Sequence, residues 1–170
     1  MIHIIKKVVV INGAPKSGKD TVCDMANEFV KCGNISTVDK IKKAYSILGW
    51  NGDKSEKHRK ALSDFKDIAT KTLDHSFNYV KQQILEFKCE KCPWQILFIH
   101  CREPEEIKRI CDAFSAETLL VTNQNIEHIK SNHADAEVLN YKYNYEIHND
   151  GSLEDLRAEV KLFLLEMFHE

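Results

Sequence analysis

The sequence has little arginine, little proline and no long apolar run. Arginine occurs only four times among 24 basic residues, and proline only three times in 170 positions. No stretch approaches the roughly 20 apolar residues that a membrane-spanning helix needs, so no membrane association is expected. The apolar start "MIHIIKKVVVING" contains two lysines and no small-residue cleavage site, which favours a strand over a signal peptide. We therefore expect a cytoplasmic protein with mostly reduced cysteines.

A strong excess of charge of one sign is also missing. The 26 acidic and 24 basic residues leave a formal net charge of −2, so nucleic acid and anionic lipid are not expected as partners. Any recognition of phosphate must then be local. Because the planar guanidinium group suits bidentate contacts with phosphate, each arginine is a candidate. These are Arg59, Arg102, Arg109 and Arg157.

Short apolar runs alternate with longer helical patterns along the whole chain. This alternation predicts one α/β domain in which a parallel sheet is covered by helices. The predicted strands are 7–12, 35–39, 94–100, 117–122 and 143–148. One predicted helix begins near residue 20 and ends at Gly33, and a short one begins at residue 40 and is stopped by Gly49. Residues 57–87 are predicted to form two helical pieces, with Ile68 facing inward in the first. The last two predicted helices cover 104–114 and the segment after a Ser152–Asp155 capping box.

One segment, "VVVINGAPKSGKDTVCDM", places glycines and lysines where a strand passes into a helix. Residues 13–19 fit G-x-x-x-x-G-K, and the strand before them and the helix after them are the context that this motif requires. Glycine permits the turns that aim backbone N–H groups inward, and the helix N-terminus adds positive potential. The motif predicts a nucleotide site. Its residues are Gly13, Ala14, Pro15, Lys16, Ser17, Gly18, Lys19, Asp20 and Thr21, with Lys19 reaching the β- and γ-phosphates.

The residue after the loop lysine departs from the usual pattern. Asp20 stands where a Ser or Thr hydroxyl normally contacts Mg²⁺, and Thr21 comes one place later. A carboxylate there could hold Mg²⁺, or it could only stabilise the start of the helix. Lys16 could similarly contact phosphates or simply be solvated.

The "GKDT" form of the loop resembles the phage-type deoxynucleoside monophosphate kinases and their bacterial relatives, and also the loop of animal phosphomevalonate kinases. Further segments extend the resemblance over most of the chain. "STVDKIKKAYSILGW" resembles the family's S-F-A-D-P-I-K segment, with Asp39 and Lys42 at its aspartate and lysine positions. "EKHRKALSDFKDI" resembles its Arg-x-x-Leu segment, and "NYKYNYEIHNDGSLEDL" resembles its tyrosine-rich strand, Asn-Asp-Gly turn and closing helix.

The resemblance implies a P-loop NTPase fold of the nucleoside monophosphate kinase type, a three-layer sandwich with a five-stranded parallel sheet and helices on both faces. It implies one kinase domain over 1–170, with a helical acceptor-binding insertion at about 40–88 and a lid-like segment at about 123–140. It also implies ATP and Mg²⁺ as cofactors and a (deoxy)nucleoside monophosphate as acceptor, with Asp39 and Lys42 contacting that substrate.

Two arginines are candidates for binding the acceptor phosphate. Arg102 follows a predicted central strand, and ligands of such sheets collect beyond the carboxyl ends of the strands. The family also carries an arginine there, and the competing explanation is an ion pair with a nearby glutamate. Arg59 forms a polar stripe with Ser63 and Lys66 in the insertion, and this stripe could line a cleft or face solvent. Lys19 and Arg102 are the expected catalytic residues.

Three features keep other functions open. His100 stands where a magnesium-binding aspartate is expected, and 123–140 contains no arginine to neutralise a transferring phosphoryl group. A nucleotide-binding or slowly hydrolysing protein without kinase activity is therefore the alternative, and phosphomevalonate is an alternative acceptor. Cys89 and Cys92 have the spacing of zinc ligands, but a structural zinc site needs four. Oligomeric state is left open.

Overall fold

The computed structural model describes residues 5–125, 138 and 141–169. Five parallel strands form one sheet in the order β2-β3-β1-β4-β5. The strands are β1 Lys7–Asn12, β2 Cys32–Ser36, β3 Ile96–His100, β4 Glu117–Thr122 and β5 Tyr145–His148. The helices are α1 Lys19–Phe29, α2 Asp39–Ile47, α3 Glu56–Leu73, α4 His75–Lys88, α5 Pro104–Phe114 and α6 Leu153–His169. The predicted α/β fold with a five-stranded parallel sheet is confirmed.

The sheet is buried on both faces, which explains why its central strands are almost continuously apolar. Side chains of β1 alternate between two cores: Val9 packs with residues of α1 and α6, and Val10 packs with residues of α4 and α5. Both side chains are completely buried. The molecule is thus the predicted three-layer sandwich. Over the described residues, no helix combines the length and the apolar character needed to cross a bilayer.

The second strand lies three residues earlier than predicted, at Cys32–Ser36 instead of 35–39. Gly33 does not end α1, which stops at Phe29; it lies inside β2. A Cβ atom on Gly33 would come within 2.3 Å of Cε3 of Trp94. The glycine is therefore needed for the close approach of an indole ring from a distant part of the chain.

The segment predicted as a helical insertion contains α2, α3 and α4. The turn between α3 and α4 is at Asp74, which has left-handed backbone angles and a bidentate ion pair with Arg109 at 2.5 and 2.6 Å. The prediction that Ile68 faces inward is wrong, since its side chain is 63% exposed, whereas Lys66 is only 7% exposed. Of the predicted lid-like segment, only 123–125 and 138 are described, so that prediction lies outside the described residues.

Candidate nucleotide-binding site

The phosphate-binding loop, residues 13–19, joins β1 to α1 at the carboxyl edge of the sheet. Gly13 and Gly18 have φ angles of 152° and 100°, which residues other than glycine rarely adopt. A Cβ atom on Gly13 would also lie 2.3 Å from the carbonyl oxygen of Val121 in β4. The loop therefore rests directly on the backbone of β4, and only glycine fits at its first position.

The loop holds the ammonium group of Lys19 against its own backbone. Lys19 Nζ donates hydrogen bonds to the carbonyl oxygens of Gly13 and Ala14, both at 2.8 Å. The N–H of Ser17 donates to the carbonyl of Ala14 at 3.1 Å and closes the turn around Pro15. Among the described residues the buried hydroxyl of Ser17 has no hydrogen-bond partner. A cation, helix-start amides and an unsatisfied hydroxyl together suit a bound phosphate.

Asn12 is a buried residue of this site that was not predicted from the sequence. Its Oδ1 accepts a 2.8 Å hydrogen bond from the N–H of Gly13, and its Nδ2 donates to the hydroxyl of Tyr143 at 2.8 Å. Nδ2 also lies 3.4 Å from the carbonyl oxygen of Arg102. Asn12 thus links the start of the loop to the segment after β3. Its signal in the sequence is an amide side chain that ends an apolar strand.

Asn149 fixes the other end of the loop. Its Nδ2 donates to the carbonyl of Ser17 at 3.0 Å, and its N–H donates to the carbonyl of Thr122 at 2.8 Å. A Cβ atom on Gly18 would lie 2.4 Å from this Nδ2 atom. The Asn-Asp-Gly turn belongs to the segments that resemble the kinase family, but the sequence predicts no contact between this turn and the loop.

Asp20 and His100 face each other beside the loop, 3.9 Å apart between Oδ1 and Nε2. Asp20 lies in the first turn of α1 with its side chain 92% exposed, and His100 ends β3 with its side chain only 17% exposed. Burial lowers the pKa of His100 to about 4, so its ring is neutral at pH 7. Cys23 Sγ lies 3.8 Å from the same Nε2 atom, and burial raises the pKa of this thiol, which stays protonated.

The charges around His100 are the predicted site residues. Asp20 and Asp39 act to raise the pKa of its ring, and Lys19 and Lys42 act to lower it. Asp39 is held by a 2.7 Å hydrogen bond from the N–H of Ser36, at the end of β2. Side chains from α1 and α2 thus surround the end of β3. The sequence suggested only a missing ligand at His100, whereas the structure puts this residue at the centre of the group.

The two predicted acceptor arginines lie in different surroundings. Arg102 is half-buried just beyond β3, beside Asn12, and Arg59 is exposed on α3. The buried cation of α3 is Lys66, which forms an ion pair with Glu103. Burial alone would raise the pKa of Glu103, but the ion pair with Lys66 and backbone hydrogen bonds hold it below its ordinary value. Glu103, one of the acids considered as a partner of Arg102, thus has a strong partner in Lys66.

The remaining candidates form surface contacts. Arg109 pairs with Asp74, and Arg157 pairs with Glu28. Cys89 and Cys92 are free thiols at the end of α4. Within the described part of the chain, no group of three or more His, Cys, Asp or Glu side chains could hold a metal ion.

Comparison with known proteins defines the class of fold. No protein-family model and no curated protein sequence matches the chain. Solved structures match almost all of it. Dephospho-CoA kinase from Campylobacter jejuni is 16% identical with a TM-score of 0.54, over 95% of this chain and 97% of that protein. Shikimate kinase from Aquifex aeolicus is 10% identical with a TM-score of 0.58, over 95% of this chain and 98% of that protein. The chain therefore has the fold found in P-loop kinases.

Proposed function

We propose that this protein transfers a phosphoryl group from ATP to a small phosphorylated acceptor, and that the acceptor is a (deoxy)nucleoside monophosphate. The observation that carries the proposal is that Lys19 is held inside the glycine loop after β1, while Arg102 directly follows the adjacent strand β3. Two cations at neighbouring strand ends suit two phosphate groups that must meet. The structural neighbours, a dephospho-CoA kinase and a shikimate kinase, support the coarser part of the proposal, phosphoryl transfer to a small molecule.

On the donor side, the loop amides and the N-terminus of α1 bind the phosphates of ATP. Lys19 exchanges its carbonyl partners on Gly13 and Ala14 for phosphate oxygens and neutralises charge on the β- and γ-phosphates. Both carbonyls belong to the loop, so the ammonium group is close to its working position before nucleotide binds. A divalent cation, when bound, neutralises further charge on the transferring phosphoryl group. The carboxylate of Asp20 directly follows the loop lysine and would contribute to holding that cation.

On the acceptor side, Arg102 binds the acceptor phosphate and aligns it with the donor. An acceptor phosphate oxygen is already nucleophilic, so no general base is required. Lys66 of α3 forms an ion pair with Glu103, the residue after Arg102, and this pair lies beside the proposed acceptor site. Asp39, Lys42 and Arg59 lie on α2 and α3, the helices of the insertion, and would contact the rest of the acceptor.

A second function has specific support. His100 replaces the carboxylate expected at the end of β3, and the sequence of 123–140 contains no arginine. A protein of this kind could bind nucleotide and hydrolyse it slowly without transferring the phosphoryl group. The loop is also similar to that of phosphomevalonate kinases, which makes phosphomevalonate the alternative acceptor. These possibilities are distinguished by which acceptor, if any, accelerates ADP formation.

The deciding experiment measures ADP formation from ATP with each common ribo- and deoxyribonucleoside monophosphate and with phosphomevalonate. Lys19→Ala serves as the blank, and Lys161→Ala, an exposed lysine on α6, is its matched control. We expect one nucleotide to stimulate ADP formation in the native protein and in Lys161→Ala but not in Lys19→Ala. Stimulation by phosphomevalonate alone would identify phosphomevalonate as the acceptor instead of a nucleotide. No stimulation despite ATP binding would favour the second function.

The role of Arg102 is tested with the accepted substrate. Arg102→Ala should raise the KM for the acceptor about 100-fold or more, because a charge-assisted bidentate contact is lost, and should leave ATP affinity nearly unchanged. Arg157→Ala removes an arginine that pairs with Glu28 on the surface and is the control. Equal KM values in the two variants would show that Arg102 does not bind the acceptor phosphate.

A further inference from the structure

Two positions that normally hold the nucleotide's cation are altered together in this chain. In P-loop proteins a Ser or Thr after the loop lysine and an aspartate from another strand hold Mg²⁺. Here the first position is Asp20, and the strand position beside the loop is His100. The carboxylate is therefore on α1, and an imidazole is on the strand. Since one carboxylate remains, the pair keeps the same formal charge as the usual pair.

The geometry of this pair suits a shared cation. Two ligands bound at about 2.1 Å and at right angles are about 3 Å apart, and Oδ1 of Asp20 lies 3.9 Å from Nε2 of His100. Asp20 is almost fully exposed, so a change of rotamer can close the difference. The backbone of His100 is fixed, because it lies opposite Ile11 of β1 on one side and Ser36 of β2 on the other.

The chemistry of the donors favours a softer ion than Mg²⁺. Magnesium takes oxygen ligands almost exclusively, whereas a neutral imidazole is a good ligand for later divalent ions. The side chain of His100 is only 17% exposed, and its Nε2 atom faces Oδ1 of Asp20.

We propose that the divalent cation that accompanies nucleotide in this protein is bound by Nε2 of His100, the carboxylate of Asp20 and phosphate oxygens, and that Mn²⁺ is preferred to Mg²⁺. The proposal rests on the proposed binding of nucleotide. Two protein ligands are too few to hold the ion alone, in agreement with the lack of a three-residue metal cluster among the described residues. Mn²⁺ should therefore bind weakly to the free protein and tightly when nucleotide is present.

Pulsed electron paramagnetic resonance tests the proposed ligand without any turnover. The full chain is mixed with Mn²⁺ and ADP, and the spectrum should show hyperfine coupling from a directly bound imidazole ¹⁴N nucleus. Labelling the histidines with ¹⁵N should change this coupling. The coupling should disappear in His100→Asp, which restores a carboxylate at the strand end, and should persist in His169→Asp, which changes an exposed histidine at the end of α6.

Metal selection gives a second readout. With ADP present, the ratio of Mn²⁺ to Mg²⁺ affinity should be about tenfold or more larger in the native protein than in His100→Asp. A bound Mn²⁺–ADP complex without nitrogen coupling, or the same ratio in both proteins, would overturn this proposal and leave nucleotide binding intact. Failure to bind nucleotide at all would overturn both proposals. Nitrogen coupling in a protein that no acceptor stimulates would support the metal site and reject phosphoryl transfer.

Discussion

The side-chain amide of Asn149 donates a 3.0 Å hydrogen bond to the carbonyl oxygen of Ser17, 132 residues earlier in the chain. The same asparagine is tied through its backbone to Thr122 at the end of β4. The turn after β5 therefore braces the end of the phosphate-binding loop that precedes α1. Because of this brace, the shape of the loop depends on a residue that no loop motif contains.

Replacement of Asn149 should weaken nucleotide binding. Asn149→Ala leaves the partly buried carbonyl of Ser17 without this donor, at a cost of about 1–3 kcal/mol, and ADP affinity should fall about tenfold. Asn149→Asp should lower ADP affinity further, because it places a hydrogen-bond acceptor opposite a carbonyl oxygen. Calorimetric titration with ADP measures both. The control is Asn78→Ala, which removes a 3.1 Å amide-to-carbonyl bond on the exposed side of α4; equal affinities in all variants would show that the brace has no effect.

Gly13→Ala should destroy the loop. Its new methyl group would lie 2.3 Å from the carbonyl oxygen of Val121, and the backbone of β4 cannot move away because it is paired with β1 and β5. Gly49→Ala is the matched control, since Gly49 has a φ of 100° but no atom within 4 Å of the position that a Cβ atom would take. We expect the free energy of unfolding to fall by about 1 kcal/mol in the control. In Gly13→Ala it should fall by much more, and ADP should not bind. Urea unfolding and ADP titration check this; native-like ADP binding by Gly13→Ala would contradict it.

Where an element is decided by local sequence, prediction was accurate. The strands at 7–12 and 117–122 and the helix at 104–114 have the predicted bounds, because continuous apolar runs and a proline at a helix start are local signals. The edge strand β2 was misplaced, since Gly33 was interpreted as a helix end. Its actual role depends on the contact with Trp94, which no local pattern contains.

The site shows the same division. The loop glycines and Lys19 follow from a motif, whereas Asn12, Asn149 and Lys66 contribute through contacts between distant segments. Lys66 was assigned to a polar stripe and given less weight than Arg59. The structure buries Lys66 and leaves Arg59 exposed, because the partner Glu103 lies after β3 and only the fold brings the two together.

The Lys66–Glu103 ion pair yields a stability prediction. Glu103→Gln leaves a buried ammonium group without its counter-charge and should cost about 2 kcal/mol, less than a fully buried pair because the Glu103 side chain is 38% exposed. Lys66→Met in the same protein should restore most of this loss. Urea unfolding of the single and double variants gives the coupling energy.

A surface pair on the same helix is the matched control for this cycle. Lys60 and Asp64 form an ion pair at 3.1 Å with side chains 75% and 57% exposed. The corresponding cycle with Lys60→Met and Asp64→Asn should give a coupling of about 0–1 kcal/mol. If the two cycles give the same coupling energy, burial of Lys66 has no energetic consequence and its proposed place beside the acceptor loses support.

The buried ring of His100 predicts a specific acid sensitivity. Burial lowers its pKa in the folded protein to about 4, from an ordinary value of 6.5 that applies in the unfolded chain. Between these values the unfolded chain binds the extra proton, so the free energy of unfolding falls as the pH falls from about 6.5 towards 4. By pH 5 this one group should cost about 2 kcal/mol relative to pH 7. Below pH 4 both states are protonated, and the contribution does not grow further.

His100→Asn removes this titration and isolates it from that of the other histidines. Urea unfolding at pH 7 and pH 5 should show a smaller loss of stability in His100→Asn than in the native protein, by about 2 kcal/mol. His169→Asn, an exposed position on α6, should lose as much as the native protein. If His100→Asn and the native protein lose stability equally, the pKa of His100 is the same in the folded and unfolded states, and burial does not lower it.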